Sequence, residues 1–178
     1  ALLKFQDMSG LERDFTRGFK RLKRELPHMP VPRVYAQLSA LNQSVVVGDS
    51  TLGFSIDKYM GADYPLYAQF YYPYQCRSMS PERIVPDCMA FYLLSEYPFP
   101  WEWHRTLLDH ILHRGKIHWV VAQILGMATL EEEMGYTRAE GDWCRERRER
   151  IWSYIVESGH LHSTDPVLVR TYLHPAEC

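Results

Sequence analysis

The sequence lacks the motifs that most directly announce a metal or redox enzyme. Its four cysteines, Cys76, Cys88, Cys144 and Cys178, form no Cys-x-x-Cys pair, so neither a zinc knuckle nor a thioredoxin-type dithiol is supported. That spacing neither requires nor forbids a disulfide. His-Glu-x-x-His, by which one helix gives a metal two ligands and a catalytic base, is absent. No Gly-x-Ser-x-Gly elbow frames Ser44, Ser50 or Ser55, and nothing comparable frames Cys76. Gly53, Gly61, Gly115 and Gly126 stand alone, so no glycine-rich loop cradles a phosphate. No apolar run approaches the roughly 18 residues that span a bilayer, and no signal peptide is seen. An excess of either charge is missing too: 20 Lys and Arg face 22 Asp and Glu, a net charge of -2. That balance removes the electrostatic footprint of a nucleic-acid binder.

What is present is a globular composition, 46% hydrophobic and 24% charged over 178 residues. A chain of this length buries roughly 70% of its unfolded surface without staples, and one domain over residues 1–178 is expected. Aromatics are abundant, with 12 Tyr and 5 Trp, and they cluster at Tyr64, Tyr67, Phe70, Tyr71, Tyr72 and Tyr74. Such a cluster wedges a core together with its polar ends at the rim; the alternative is a platform for stacking sugar or peptide.

Ser9-Gly-Leu-Glu12 has capping-box spacing, and Leu11, Phe15, Phe19, Leu22 and Leu26 follow at helical intervals, predicting an amphipathic helix over about 10–26. Its other face carries Arg13, Arg17, Lys20, Arg21, Lys23 and Arg24. These read as a solvated face, with anionic lipid or an acidic partner as the alternative. Pro27, Pro30 and Pro32 then enforce an extended path. Between residues 34 and 57 the period changes, and Val45–Val47 and Leu52–Ile56 around Gly48-Asp-Ser50 read as a hairpin or two neighbouring strands. From about 64 to 174 the rhythm is helical. Helices are predicted at Tyr64–Tyr74, Pro86–Tyr97 and Trp103–His113, with Gly115 breaking or capping the last before Ile117–Leu125 continues. Thr129-Leu-Glu-Glu132 and Thr137-Arg-Ala-Glu140 are two further capping boxes. The second opens a helix over 138–157 with Trp143, Ile151, Tyr154 and Ile155 inward and its arginines outward. The fold class is therefore α+β, a small antiparallel or mixed sheet on a mainly helical body.

The best local candidates for metal ligation are Asp109, His110, His113 and His118. His110 and His113 share a helix face, but two ligands do not make a site. His118 is rotated about 140° from His113 at roughly 100° per residue. These imidazoles read as partly buried or capping groups, and Glu131–Glu133, like Asp57 and Asp63, as solvated acids.

Several short segments taken together resemble one family. Leu52-Gly-Phe-Ser-Ile-Asp-Lys-Tyr-Met-Gly61, Tyr74-Gln-Cys-Arg-Ser-Met79, Pro86-Asp87, Gly115-Lys116, Gly135-Tyr-Thr137, Trp143-Cys144, Ile151-Trp152 and Ser163-Thr-Asp165 occur in the order and spacing of the gliding motility-associated lipoprotein GldB of Bacteroidetes. The residues carrying this signature include Asp57, Tyr59, Gly61, Tyr74, Arg77, Gly115, Lys116, Trp143 and Trp152. The resemblance implies a protein of the cell envelope, on its periplasmic side, tethered through a lipidated N-terminal cysteine that precedes Ala1. It implies protein partners in the envelope, no nucleic acid and no cofactor. It further implies a zincin-like fold, in which one helix carries His-Glu-x-x-His and a later one a glutamate just before a glycine. Here the first position reads Asp87-Cys-Met-Ala-Phe91, and Arg114 precedes Gly115. A guanidinium at a metal position repels a dication. The expectation is a degenerate, non-catalytic metallopeptidase domain with a structural or interaction role, in which Asp87 and Arg114 form an inter-helix ion pair. The alternatives are a zincin-type peptidase using His110, His113 and a distant acid or a histidine such as His104, His160 or His162, and a carbohydrate- or peptide-binding module built on Tyr64–Tyr74.

Overall fold

The N-terminal apolar period forms α1 (Ser9–Glu25), which turns Phe15, Phe19 and Leu22 inward. The computed structural model describes residues 5–102 and 105–173. Ser9 does not act as the cap: it already lies inside the helix, and its N–H donates to Asp7 Oδ1 at 2.9 Å. Gly18 lets α1 come close to the molecular centre. A Cβ there would fall 2.6 Å from Met89 Cε and 3.2 Å from Leu125 Cδ2, so a larger residue would have to displace the ends of those two core side chains.

The chain then lays down three short strands, β1 (Arg33–Gln37), β2 (Val45–Gly48) and β3 (Thr51–Ser55). Their order is β1-β3-β2, with β1 parallel and β2 antiparallel to β3. Both the hairpin and the mixed sheet of the α+β expectation are thus present. Central β3 is buried along Leu52–Ser55, as expected of a strand paired on both edges and covered by helices.

Among the described residues six α-helices follow: α2 (Pro73–Ser78), α3 (Ile84–Glu96), α4 (Leu107–Leu125), α5 (Leu130–Glu133), α6 (Arg138–Glu157) and α7 (Pro166–Leu173). α3 is apolar nearly all round, with Ile84, Cys88, Met89 and Leu93 almost fully enclosed, which is the signature of a helix at the centre of a core. It packs on the sheet, α1 and α4. Pro86 sits in its first turn, where a missing N–H costs nothing. A second cluster, Leu107, Ile155, Leu161 and Val169, joins α4, α6 and α7.

Three local expectations are corrected. Tyr64–Tyr74 is not one helix: a 3-10 turn at Tyr67–Gln69 precedes α2. Its aromatics divide accordingly, since Tyr67 is fully buried while Phe70 and Tyr72 are exposed. Gly115 neither breaks nor caps anything, because α4 runs through it to Gly126, whose φ of 74° supplies the left-handed cap. The start of α4 is fixed instead by Thr106 and Asp109, each side chain holding the other's backbone N–H at 3.2 and 3.0 Å. Third, α6 has the predicted limits but not the predicted orientation. Of the four residues expected inward only Ile155 is buried. Trp103, at the predicted helix start, lies outside the described residues, as do His104 and Cys178.

Candidate functional site

The interior contains a chain of polar side chains drawn from four elements. Tyr59 leaves the 3-10 turn Ile56–Lys58 and points its hydroxyl inward, donating to Asp87 Oδ2 at 3.0 Å. Asp87, in the first turn of α3, receives Arg83 Nη2 on its other oxygen at 2.8 Å. Arg83 also donates through Nη1 to the carbonyl of Glu133, at the end of α5. The Glu133 carboxylate meets His118 Nδ1, on α4, at 2.8 Å through Oε2. Its Oε1 has no protein partner, although the side chain is 0% exposed.

Burial dominates the electrostatics of this chain. It raises Asp87 above the ordinary carboxylate range, against the opposing pull of the Arg83 guanidinium. Burial, with the Asp87 charge second, also raises the Tyr59 hydroxyl. Desolvation raises the neighbouring Cys88 thiol, which makes it a packing group rather than a nucleophile. The arrangement ties α3, α4, α5 and the turn after β3 together by charge-assisted hydrogen bonds. Its donors and acceptors are largely spent on one another.

The expected partnership of Asp87 with Arg114 is not formed. Arg83 lies one turn before Asp87 on the same stretch of chain and reaches it directly, as i,i+4 pairs do. Arg114 is exposed on α4 and reaches towards α7, where Nη1 lies 3.4 Å from the Leu173 carbonyl. Glu133, read with its neighbours as a solvated acid, is instead the most enclosed charged side chain of the network. No residue pattern marks it out among three successive glutamates.

The histidines divide by environment. His110 stacks on Phe99, with ring centroids 4.0 Å apart and a 12° interplanar angle, and has Trp101 at its edge. His113 meets Phe99 edge-on at 5.3 Å, and among the described residues its buried Nε2 has no hydrogen-bond partner. Burial lowers both imidazoles below their usual value, helped by Arg114 for His110 and by Lys116 and Arg114 for His113. They are therefore neutral aromatic packing groups near pH 7. His160 bonds the Tyr172 hydroxyl at 2.8 Å and His162 is exposed. Among the described residues no three His, Cys, Asp or Glu side chains are grouped to hold a metal ion.

The signature residues fall into two sets. One builds the scaffold. Asp57 accepts from the backbone N–H groups of Ser39 and Leu41 at 3.0 and 2.6 Å, clamping a loop in which Ala40 and Leu41 take the left-handed φ values 52° and 64°. Gly61 has φ 102° and donates to the Met79 carbonyl at 2.9 Å. Tyr74 stacks on Tyr72 at 5.9 Å, and Arg77 pairs with Glu140 at 2.9 Å, joining α2 to α6. The other set is on the surface. Lys116 is exposed, and Gly115 is exposed with no atom within 4 Å of where a Cβ would stand. Trp143 and Trp152 are 49% and 50% exposed.

The family model described as gliding motility protein GldB matches residues 1–178. The chain belongs to the GldB family. It is a gliding motility lipoprotein domain, and such lipoproteins are components of the cell envelope. No curated protein and no solved structure matches this GldB-family chain. Within that family frame, the surface set needs a physical reading of its own. Beyond the two tryptophans, α6 exposes Ile151, Tyr154 and Val156, and a mainly apolar groove of about 480 Å³ runs beside Cys144, Ile151 and Trp152. Nine residues separate Trp143 from Trp152, which puts them on opposite sides of the helix at 100° per residue.

Proposed function

We propose that this GldB-family domain is a non-catalytic interaction component of the cell envelope, lipid-anchored on the periplasmic side, with α6 as the helix that a protein partner contacts. The observation that carries the reading is the exposure of α6. A 20-residue helix that buries only Gly141 and Ile155 leaves Trp143, Ile151, Trp152, Tyr154 and Val156 exposed, a concentration of large apolar side chains that a solvated polar helix does not need. Buried Trp anchors dominate protein interfaces, and Trp152 borders an open groove with Cys144, Arg148, Glu149 and Ile151.

The polar chain from Tyr59 to His118 supports the non-catalytic part of the reading. Asp87 and Glu133 serve as structural acceptors, and Arg114 occupies the place before Gly115 where a zincin would carry a carboxylate ligand. On this reading the domain keeps a metallopeptidase-like helical body and uses it as a rigid support.

The test has two arms. Trp143→Ala combined with Trp152→Ala, introduced in a gliding host, should abolish surface movement while leaving abundance, anchoring and melting temperature unchanged. Cells that still move would contradict the interaction face. Zinc titration of the purified chain should find no stoichiometric site; one tightly held ion with His110 and His113 among its ligands would restore the peptidase reading.

A further inference from the structure

The outer face of α1 is a second unexplained surface. Six cations against three carboxylates give this helix a net charge of +3 in a chain whose total is -2, so the remainder carries -5. Arg13, Arg17, Lys20, Arg21 and Arg24 recur at three- and four-residue steps and border one shallow concavity with Glu12. The side chains of Arg13 and Arg24 are 76% and 74% exposed. Asp14 meets Arg17 at 3.1 Å, and Glu25 meets Arg24 at 2.8 Å, but such exposed pairs are weak. Lys20 has no carboxylate partner among the described residues, while Lys23 Nζ donates to the Met29 carbonyl at 2.8 Å and Arg21 Nη1 to the Ile124 carbonyl at 3.2 Å.

We propose that this face rests on an anionic lipid surface, holding the domain against the membrane that carries its lipid anchor. Two features select lipid over an acidic protein. The face offers no apolar centre, because Phe15, Phe19 and Leu22 are committed to the core, and specific protein interfaces are organised around one. For the same reason α1 does not insert among acyl chains. It acts by charge alone, which is how basic segments meet anionic headgroups. The proposal rests on the lipid-anchored envelope location and is independent of α6 as a partner site.

Sedimentation of the purified chain with lipid vesicles tests it. The chain should pellet with vesicles containing phosphatidylglycerol and not with pure phosphatidylcholine, and high salt should release it. Each neutralised cation should weaken binding about fivefold. The combined change Arg13→Ala, Arg17→Ala and Lys20→Ala should therefore weaken it by about 100-fold, and the glutamate triple, which reverses the three charges, should weaken it further. Arg148→Glu with Arg150→Glu, on α6, should bind like the parent. No pelleting with phosphatidylglycerol, equal pelleting with neutral vesicles, or an equal loss in the α6 variant would each overturn the proposal. So would capture by polyglutamate at a lower concentration than by vesicles, which would make the face a protein site. Because α1 and α6 are altered separately, failure here leaves the reading of α6 standing, and the reverse holds.

Discussion

Arg83→Ala should destabilise the protein by about 3 kcal/mol, whereas Arg114→Ala should cost about 0.5 kcal/mol or less. Arg83 and Asp87 sit 2.8 Å apart with side chains only 16% and 23% exposed. Removing the guanidinium leaves the Asp87 carboxylate with the Tyr59 hydroxyl at 3.0 Å as its remaining side-chain donor, and frees the Glu133 carbonyl at the end of α5. Breaking a buried pair from one side costs about 3–5 kcal/mol, and the residual exposure places this pair near the lower end. Arg114 is exposed and gives up only a long bond to the Leu173 carbonyl. Urea denaturation and thermal melting of the purified variants measure both, with a fall of about 6–12 °C expected for Arg83→Ala at this chain length. The deficit should also shrink in acid. Asp87 is already raised above its ordinary range, so its contribution to stability is greatest below the unfolded carboxylate pKa, about 3.9, and is lost as pH rises through the higher folded value. Without Arg83 that gap widens, and the variant recovers relative to the parent as pH falls. The reasoning fails if Arg83→Ala lies within 1 kcal/mol of the parent or Arg114→Ala matches it.

Gly115→Ala should stabilise the chain by about 0.5–1 kcal/mol, because the position is helical, exposed and empty around a new Cβ; loss of stability in the same melts would show a packing demand that the geometry does not contain. His110 and His113 have folded pKa values below the unfolded value of about 6.5. Their contribution is full above pH 6.5 and is lost as pH falls through the depressed values, so stability should decline towards pH 5. Replacing both with Gln should flatten that decline, by up to about 1.4 kcal/mol per pH unit for each group; an unchanged slope would mean the imidazoles do not titrate with unfolding. Trp152→Ala should move the unfolding free energy by about 0.5 kcal/mol or less, and a loss of several kcal/mol would reveal a folding role that its exposure denies.

The elements that local pattern can specify were legible in the sequence. α1 follows from apolar residues at helical intervals, the hairpin from β-branched runs around Gly48-Asp-Ser50, and α6 from its Thr137 capping box and length. The signature set was legible in the same way, as short motifs in order. The polar chain was not. His118 and Glu133 are 15 residues apart on different helices, and only their packing brings them together. Within Glu131–Glu133, one turn of α5 decides which glutamate faces inward, and that turn is set by tertiary contact. The partner of Asp87 was sought across the helix pair, at Arg114, when Arg83 lay one turn away. The inward assignment of Trp143, Ile151 and Tyr154 failed for a different reason: apolar residues at helical spacing do not say how much of a helix the rest of the chain covers, and α6 leaves all three exposed.

The central claim is that α6 is a partner face, and site-specific photo-crosslinking in intact cells addresses it most directly. A photoreactive residue placed at 143 or 152 should give one discrete adduct with an envelope protein, and the same residue at position 17 on α1 should not give it. Adducts that are absent from α6, or that appear equally from both helices, would contradict the account.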